Sequence, residues 1–314
     1  LTANTILRLN MQTKSKLVSL TAALPALPAS AQDQLEIIGQ PIDGKLGFQP
    51  AATDLAKGIQ DLDLGVLIVV TLITLFVTGL LIYAVVRFNQ KSNPNPASFT
   101  HNTKVEVAWT IVPIIILLGI VVFSLPELFR QQEIPEGDVN IKVTGNQWYW
   151  GYEYVDHGFE FDSNLIGSPA TLDEDVRPED ANIRPYVLDA NMEAKLAEAG
   201  YDRNQWLLAT DTVVVVPVDK TIVMTITGAD VIHSWTIPAF GVKQDAVPGR
   251  LAQLWFKPNK EGIYFGQCSE LCGKDHAYMP ITVKVVSQEA YEKWLNGAID
   301  EYAGIPTSYT IATK

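Results

Sequence analysis

Cysteine, histidine and methionine are scarce in this 314-residue chain, with two, four and four copies respectively. Two cysteines allow at most one disulfide, and no Cys-x-x-Cys-His occurs, which excludes a fused c-type haem domain. Bases are also short, at 23 Lys and Arg against 35 Asp and Glu, for a net charge of −12. A negative face repels phosphates, so nucleic acid is excluded as a partner and a cationic one is favoured. Such acidity would suit a soluble domain, yet the mean hydropathy of +0.12 points to membrane content.

The scarce residues are concentrated in one stretch. Cys268-Ser269-Glu270-Leu271-Cys272-Gly273-Lys274-Asp275-His276-Ala277-Tyr278-Met279 holds both cysteines, one histidine and one methionine. Thiolate, imidazole and thioether are the ligands that copper prefers. A disulfide is the alternative, since two cysteines of an exported protein pair by default. It gives no reason for His276 and Met279 to follow Cys272 at spacings of four and seven. A cupredoxin-type site takes a further histidine from a distant strand. His233 follows the β-branched run Thr221–Thr227, where a strand would deliver it to a sandwich rim, whereas His101 lies between two apolar spans and His157 in a polar turn. For His233 the alternative is a hydrogen-bonded core histidine.

His233 followed by Cys268-x-Glu270-x-Cys272-x3-His276-x2-Met279 resembles the copper A site of cytochrome c oxidase subunit II. The stretches Ala229–Trp235, Lys243–Leu251 and Gly266–Cys272 are similar to that family as well, and the resemblance runs from about residue 33 to 294. It implies a dinuclear copper centre bridged by the thiolates of Cys268 and Cys272. His233 and His276 would each serve one copper, with Met279 and the Glu270 backbone carbonyl as weak outer ligands. It also implies that the Glu270 side chain faces a magnesium site at the border with subunit I.

From Met11 the chain reads as an export signal. Lys14 and Lys16 form the basic region, Leu17–Leu27 the apolar region and Ala29-Ser30-Ala31 the cleavage site. Residues 32–61 read as a polar arm, 62–88 as a first membrane helix, 89–104 as a cytoplasmic loop, 105–129 as a second membrane helix and 130–314 as the copper domain. Arg87, Lys91 and Lys104 carry the loop's charge without an acid, the cytoplasmic signature. Pro113 and Pro126 are expected as kinks or exits. Glu106, an ionisable residue at the start of the second span, is a functional candidate. The resemblance implies that it lies near the mouth of a proton pathway, against a plain interfacial role.

After Asp138 the pattern changes to short β-rich runs: Val139–Thr144, Gln147–Val155, Val213–Val218, Thr221–Thr227, Val231–Ile237, Arg250–Phe256, Gly262–Gln267 and Ile281–Val286. Their number and spacing predict an antiparallel sandwich, and the resemblance implies that it is a Greek-key, cupredoxin-like one. A C-terminal helix follows over Ser287–Asp300, and an acidic insertion at about 163–205 includes an amphipathic stretch, Met192–Ala199. Trp148, Trp150, Tyr152 and Tyr154 would share one strand face and fill the core. The resemblance instead makes Trp148 the point where electrons arrive from cytochrome c, amid acids for which Glu153, Asp156 and Asp230 are the candidates.

The resemblance thus implies a multi-pass subunit of the bacterial inner membrane, its copper domain in the periplasm. It would accept electrons from cytochrome c and pass them to haem in subunit I, with subunit III as a further partner. Oxygen reduction falls to the partner, because only His101 and His157 remain after the copper ligands are assigned. Two other readings are a copper-free quinol oxidase subunit, which should lack these ligands, and a membrane-anchored mononuclear carrier, which needs only one cysteine.

Overall fold

In the computed structural model, residues 35–172 and 183–302 are described. The expected export signal, part of the acidic insertion and the last residues of the chain lie outside them. Two helices, α1 (Asp54–Arg87) and α2 (Thr103–Gln132), carry the apolar runs. Their most apolar windows have mean hydropathies of 2.7 and 2.6, and none of that surface is buried within the protein. Lipid is the solvent that matches it, and a helix satisfies its own backbone there. This is a membrane protein with two spans.

Helix α1 begins at Asp54, earlier than the apolar run, because its first turns have another task. Thr53 caps it by accepting from Ala56 N, while its hydroxyl donates to Phe240 O at 2.7 Å. Leu55 and Ala56 are buried against the β-domain, and Ala52 N donates to Ala239 O at 2.9 Å. At the same end of the hairpin, where α2 finishes, Trp255 Nε1 donates to Arg130 O at 3.3 Å. Asn102 caps α2, and both Pro113 and Pro126 lie inside that helix; neither is its exit.

The β-domain is a two-sheet sandwich with a small rim sheet. One sheet has the order β4 (Phe159–Ser163), β3 (Tyr149–Tyr154), β2 (Val139–Asn146), β6 (Ile222–Gly228) and β9 (Ala252–Phe256). The other is ordered β1 (Ile37–Gly39), β10 (Gly262–Gln267), β11 (Pro280–Val286) and β5 (Val214–Pro217). β7 (His233–Ile237) and β8 (Val242–Ala246) pair at the rim. The sheets are mixed and not purely antiparallel, since β2–β6, β11–β5 and β1–β10 run parallel. Long connections make this possible: between β2 and β6 the chain has room for a hairpin, the insertion and β5 before it returns in the same direction.

Alternation builds the core. Val139, Ile141 and Val143 of β2 and Trp150, Tyr152 and Tyr154 of β3 point inward. Buried polar tips find partners: Trp235 Nε1 donates to Tyr152 Oη at 3.2 Å and Tyr154 Oη to Val215 O at 2.7 Å. Trp148 leaves the predicted series. It sits in the turn between β2 and β3, half-buried, so three aromatics share the inward face and the fourth does not.

Helix α4 (Gln288–Tyr302) lies on the domain through Tyr291 and Ala298, with Trp294 against Tyr154 at a ring separation of 5.2 Å. Within the acidic insertion, α3 (Ala190–Glu198) is capped by Asp189 and buries Met192 and Leu196. Leu196 joins Ile166, Tyr201 and Leu208 in a second apolar cluster against Ile263 and Phe265 of β10.

Candidate metal centre

At one rim of the sandwich β2 turns into β3, β7 begins, and the loop 268–279 connects β10 to β11. His233 is the first residue of β7, and its imidazole packs on Gly145 of β2. A Cβ at that glycine would come within 2.8 Å of the ring, so a larger residue would displace the histidine. Ser269 N donates to Ser234 O at 2.9 Å, fastening the start of the cysteine loop to β7. At the loop's other end Trp150 Nε1 donates to Met279 O at 3.2 Å, so a core tryptophan sets where Met279 stands.

The loop and strand bring together all six groups singled out in the sequence. The cysteines are free, their sulfurs 3.8 Å apart, so the disulfide alternative is not what is observed. Cys268 Sγ lies 3.9 Å from His233 Nδ1 and 3.3 Å from Glu270 O. Cys272 Sγ lies 3.5 Å from His276 Nδ1 and 3.5 Å from Met279 Sδ. Ligand atoms of His233, Cys268 and Cys272 fall within 4.8 Å of one another, and all three residues are buried. His233 Nε2 faces Asp230 Oδ1 at 2.9 Å. A carboxylate only accepts, so the ring proton sits on Nε2 and the Nδ1 lone pair is free to face the sulfurs.

Electrostatics at the site favour a cation. Burial pushes the Cys268 thiol up, but its bonds with His233 and backbone groups prevail and draw it down to about 7. Burial and the neighbouring Cys268 charge push Cys272 up to about 12. Two adjacent thiolates therefore resist forming together unless positive charge lies between them. Burial pulls His233 down, yet Cys268 and Asp230 raise it overall. A sulfur, imidazole and thioether set of this kind suits copper, and the donor chemistry fits the dinuclear centre that the sequence resemblance implies.

Other candidate residues are scattered. Trp148 is beside the site: its Nε1 donates to Cys272 O at 3.3 Å, and Lys274 Nζ lies 5.3 Å from its ring centre. Asp230 is there as well, accepting from Gln147 N at 2.8 Å. Glu153 is engaged with Lys142 at 2.7 Å, and Asp156 caps Asn140 at the opposite end of β2, about 20 Å away along the strand. The Glu270 side chain is at the surface, while Glu106 accepts from Asn102 N at 3.1 Å in the first turn of α2. Sequence reasoning missed Asp162, which with Asp230 holds the Tyr149 hydroxyl up once burial has raised it. The alternation of Phe159, Phe161 and Ser163 inward was the signal that Asp162 faces out. It also passed over Gln147, whose Nε2 donates to Cys272 O at 3.0 Å.

Residues 139–286 match the sequence model of the cytochrome c oxidase subunit II periplasmic domain, and residues 41–126 match that of its transmembrane domain. Cytochrome c oxidase subunit 2 of Cereibacter sphaeroides is 62% identical over 88% of this chain and 88% of its own length. The chain belongs to the cytochrome c oxidase subunit II family. A probable cytochrome c oxidase subunit 2 of Rickettsia bellii is 40% identical over 82% of this chain and 85% of its own length. The crystal structure of the periplasmic domain of subunit II of cytochrome oxidase from Bradyrhizobium japonicum is 42% identical, with a TM-score of 0.41, covering 54% of this chain and 99% of that one. As a member of the subunit II family, the chain is part of a haem-copper oxidase complex, and catalysis belongs to that complex.

Proposed function

We propose that this subunit receives electrons from cytochrome c at a dinuclear copper A centre and delivers them to haem in subunit I. The observation that carries the reading is the convergence of Cys268, Cys272, His233, His276, Met279 and the Glu270 carbonyl at one rim. Copper held by these residues would supply a one-electron acceptor with a low cost of rearrangement.

The chain's own residues supply the rest. Cys268 and Cys272 would hold the metal as thiolates, His233 and His276 would present Nδ1, and Met279 would tune it as a thioether. β7, β10 and β11 keep these groups in place before the electron arrives, which limits rearrangement on transfer. Trp148 is the entrance: its ring lies half-exposed at the surface and its indole N–H meets the Cys272 carbonyl. Asp230 and Asp162, with Glu153 further along the same face, attract a basic partner through long-range charge; Asp156, at the far end of β2, contributes least.

In this reading the sandwich lies in the periplasm of a bacterial inner membrane and residues 89–104 lie in the cytoplasm. The carboxylate of Glu270 faces the magnesium border with subunit I, Glu106 stands near a proton pathway, and subunit III completes the assembly. The decisive test is metal analysis with electron paramagnetic resonance on the purified oxidase. Two coppers in this subunit with a multiline mixed-valence signal are expected; a single copper would turn the reading into a mononuclear carrier, and none into a quinol oxidase subunit.

A further inference from the structure

Gln147 occupies an exposed turn between β2 and β3, outside the apolar core, yet it makes two polar contacts that diverge toward the two arms of the metal centre. Its backbone N–H donates to Asp230 Oδ2 at 2.8 Å. The other oxygen of that carboxylate, Oδ1, accepts from Val231 N at 2.7 Å and faces His233 Nε2 at 2.9 Å. Its side-chain Nε2 donates to Cys272 O at 3.0 Å, an acceptor it shares with Trp148 Nε1. The neighbouring Gly273 has φ +125°, and a Cβ there would stand 3.2 Å from Gln147 Nε2 and 3.1 Å from the Trp148 ring, so the loop approaches the turn as closely as its backbone permits.

We propose that Gln147 is a positioning residue for the metal centre, fixing the His233 ring through Asp230 and the cysteine loop through the Cys272 carbonyl. This rests on the copper reading above. One residue is thereby shared by the strand that carries a histidine ligand and the loop that carries both thiolates. An imidazole whose far N–H is held by a carboxylate is a better donor at its other nitrogen, and partners of this kind tune metal sites without touching the metal. Releasing the turn should weaken donation from His233 and favour the reduced centre.

The test uses the intact oxidase complex with Gln147→Leu and Gln147→Met, which remove the side-chain donor to the Cys272 carbonyl and so untie the loop from the turn whose backbone N–H holds Asp230, and with Asp230→Asn alone and combined with Gln147→Leu. Copper is expected to stay at two per subunit. The ratio of reduced to oxidised centre at a fixed potential should shift three- to tenfold toward the reduced form, tenfold being 59 mV for one electron. The His233 nitrogen coupling in the resonance spectrum should change in Gln147→Leu although that side chain does not touch His233, and the double variant should shift less than the sum of the singles. If Gln147→Leu does not assemble, the same potential and couplings are measured on the uncharged Gln147→Met, with the same shifts expected. Wild-type copper with unmoved potential and couplings in the variants, or a change confined to cytochrome c affinity, overturns the proposal alone. A wild-type subunit without two coppers overturns the copper reading and this proposal with it.

Discussion

The membrane hairpin and the sandwich solve opposite packing problems. In α2 no residue is buried, and Phe123, Leu118 and Val122 are all open to the surroundings. In the sandwich Trp150, Trp235, Phe240, Phe256 and Tyr264 are closed off entirely. The hairpin presents its apolar surface to lipid, while the sandwich carries its own core. A site that needs fixed distances among six donor groups belongs on the second kind of structure, at a rim where the core ends.

The largest test of that division is Cys272→Ser. A hydroxyl cannot replace a thiolate toward copper, so the dinuclear signal should vanish entirely while the subunit still assembles, because strand residues make up most of the core that Cys268, Cys272 and Met279 join. Loss of assembly together with copper would mean that the rim holds the sandwich up. Next comes Trp148→Gln. If electrons pass through the indole, flash-initiated transfer within the bound complex should slow by orders of magnitude with the copper spectrum little changed. A normal rate in a well-assembled variant would return Trp148 to a packing role.

Phe256→Ala and Phe123→Ala sharpen the comparison directly. The first empties the stack with Phe240, whose ring centre is 4.8 Å away, and should cost the sandwich about 3–5 kcal/mol. The second faces outward from α2 and should leave sandwich unfolding unchanged within about 0.5 kcal/mol. Denaturant titration followed by the copper absorbance reads both. The smallest effect expected is that of Glu153→Gln. Its partner Lys142, 2.7 Å away, already offsets its charge at the surface, so cytochrome c affinity at low salt should change no more than a few-fold. A larger loss than from Asp230→Asn would move the docking centre along β3.

Much of the fold was legible because its signals are local. Two apolar runs of spanning length and a metal-binding spacing in one loop need no tertiary information. Strand β4 was missed because Phe159-Glu160-Phe161-Asp162-Ser163 alternates for only five residues, and β8 because Lys243, Gln244 and Asp245 read as surface. β8 joins neither main sheet and pairs with β7 alone. Parallel pairing was hidden for a different reason, since it depends on where long connections lead. The alternative that put Trp148 in the core extended a period of two across a turn, where the period no longer applies. Gln147 carries no motif at all; its two contacts join segments 83 and 125 residues away in the chain.

β7 also acts as a spacer. It begins with His233 at the rim and runs for five residues into the Pro238–Phe240 turn, whose Phe240 carbonyl accepts from the Thr53 hydroxyl at the head of α1. At about 3.3 Å per residue it separates the histidine from that anchor by about 17 Å. The height of this rim above the head of α1 is therefore written into the length of one short strand. Adding or deleting a residue in β7 would also turn every following side chain to the other face, so that height comes as a discrete setting.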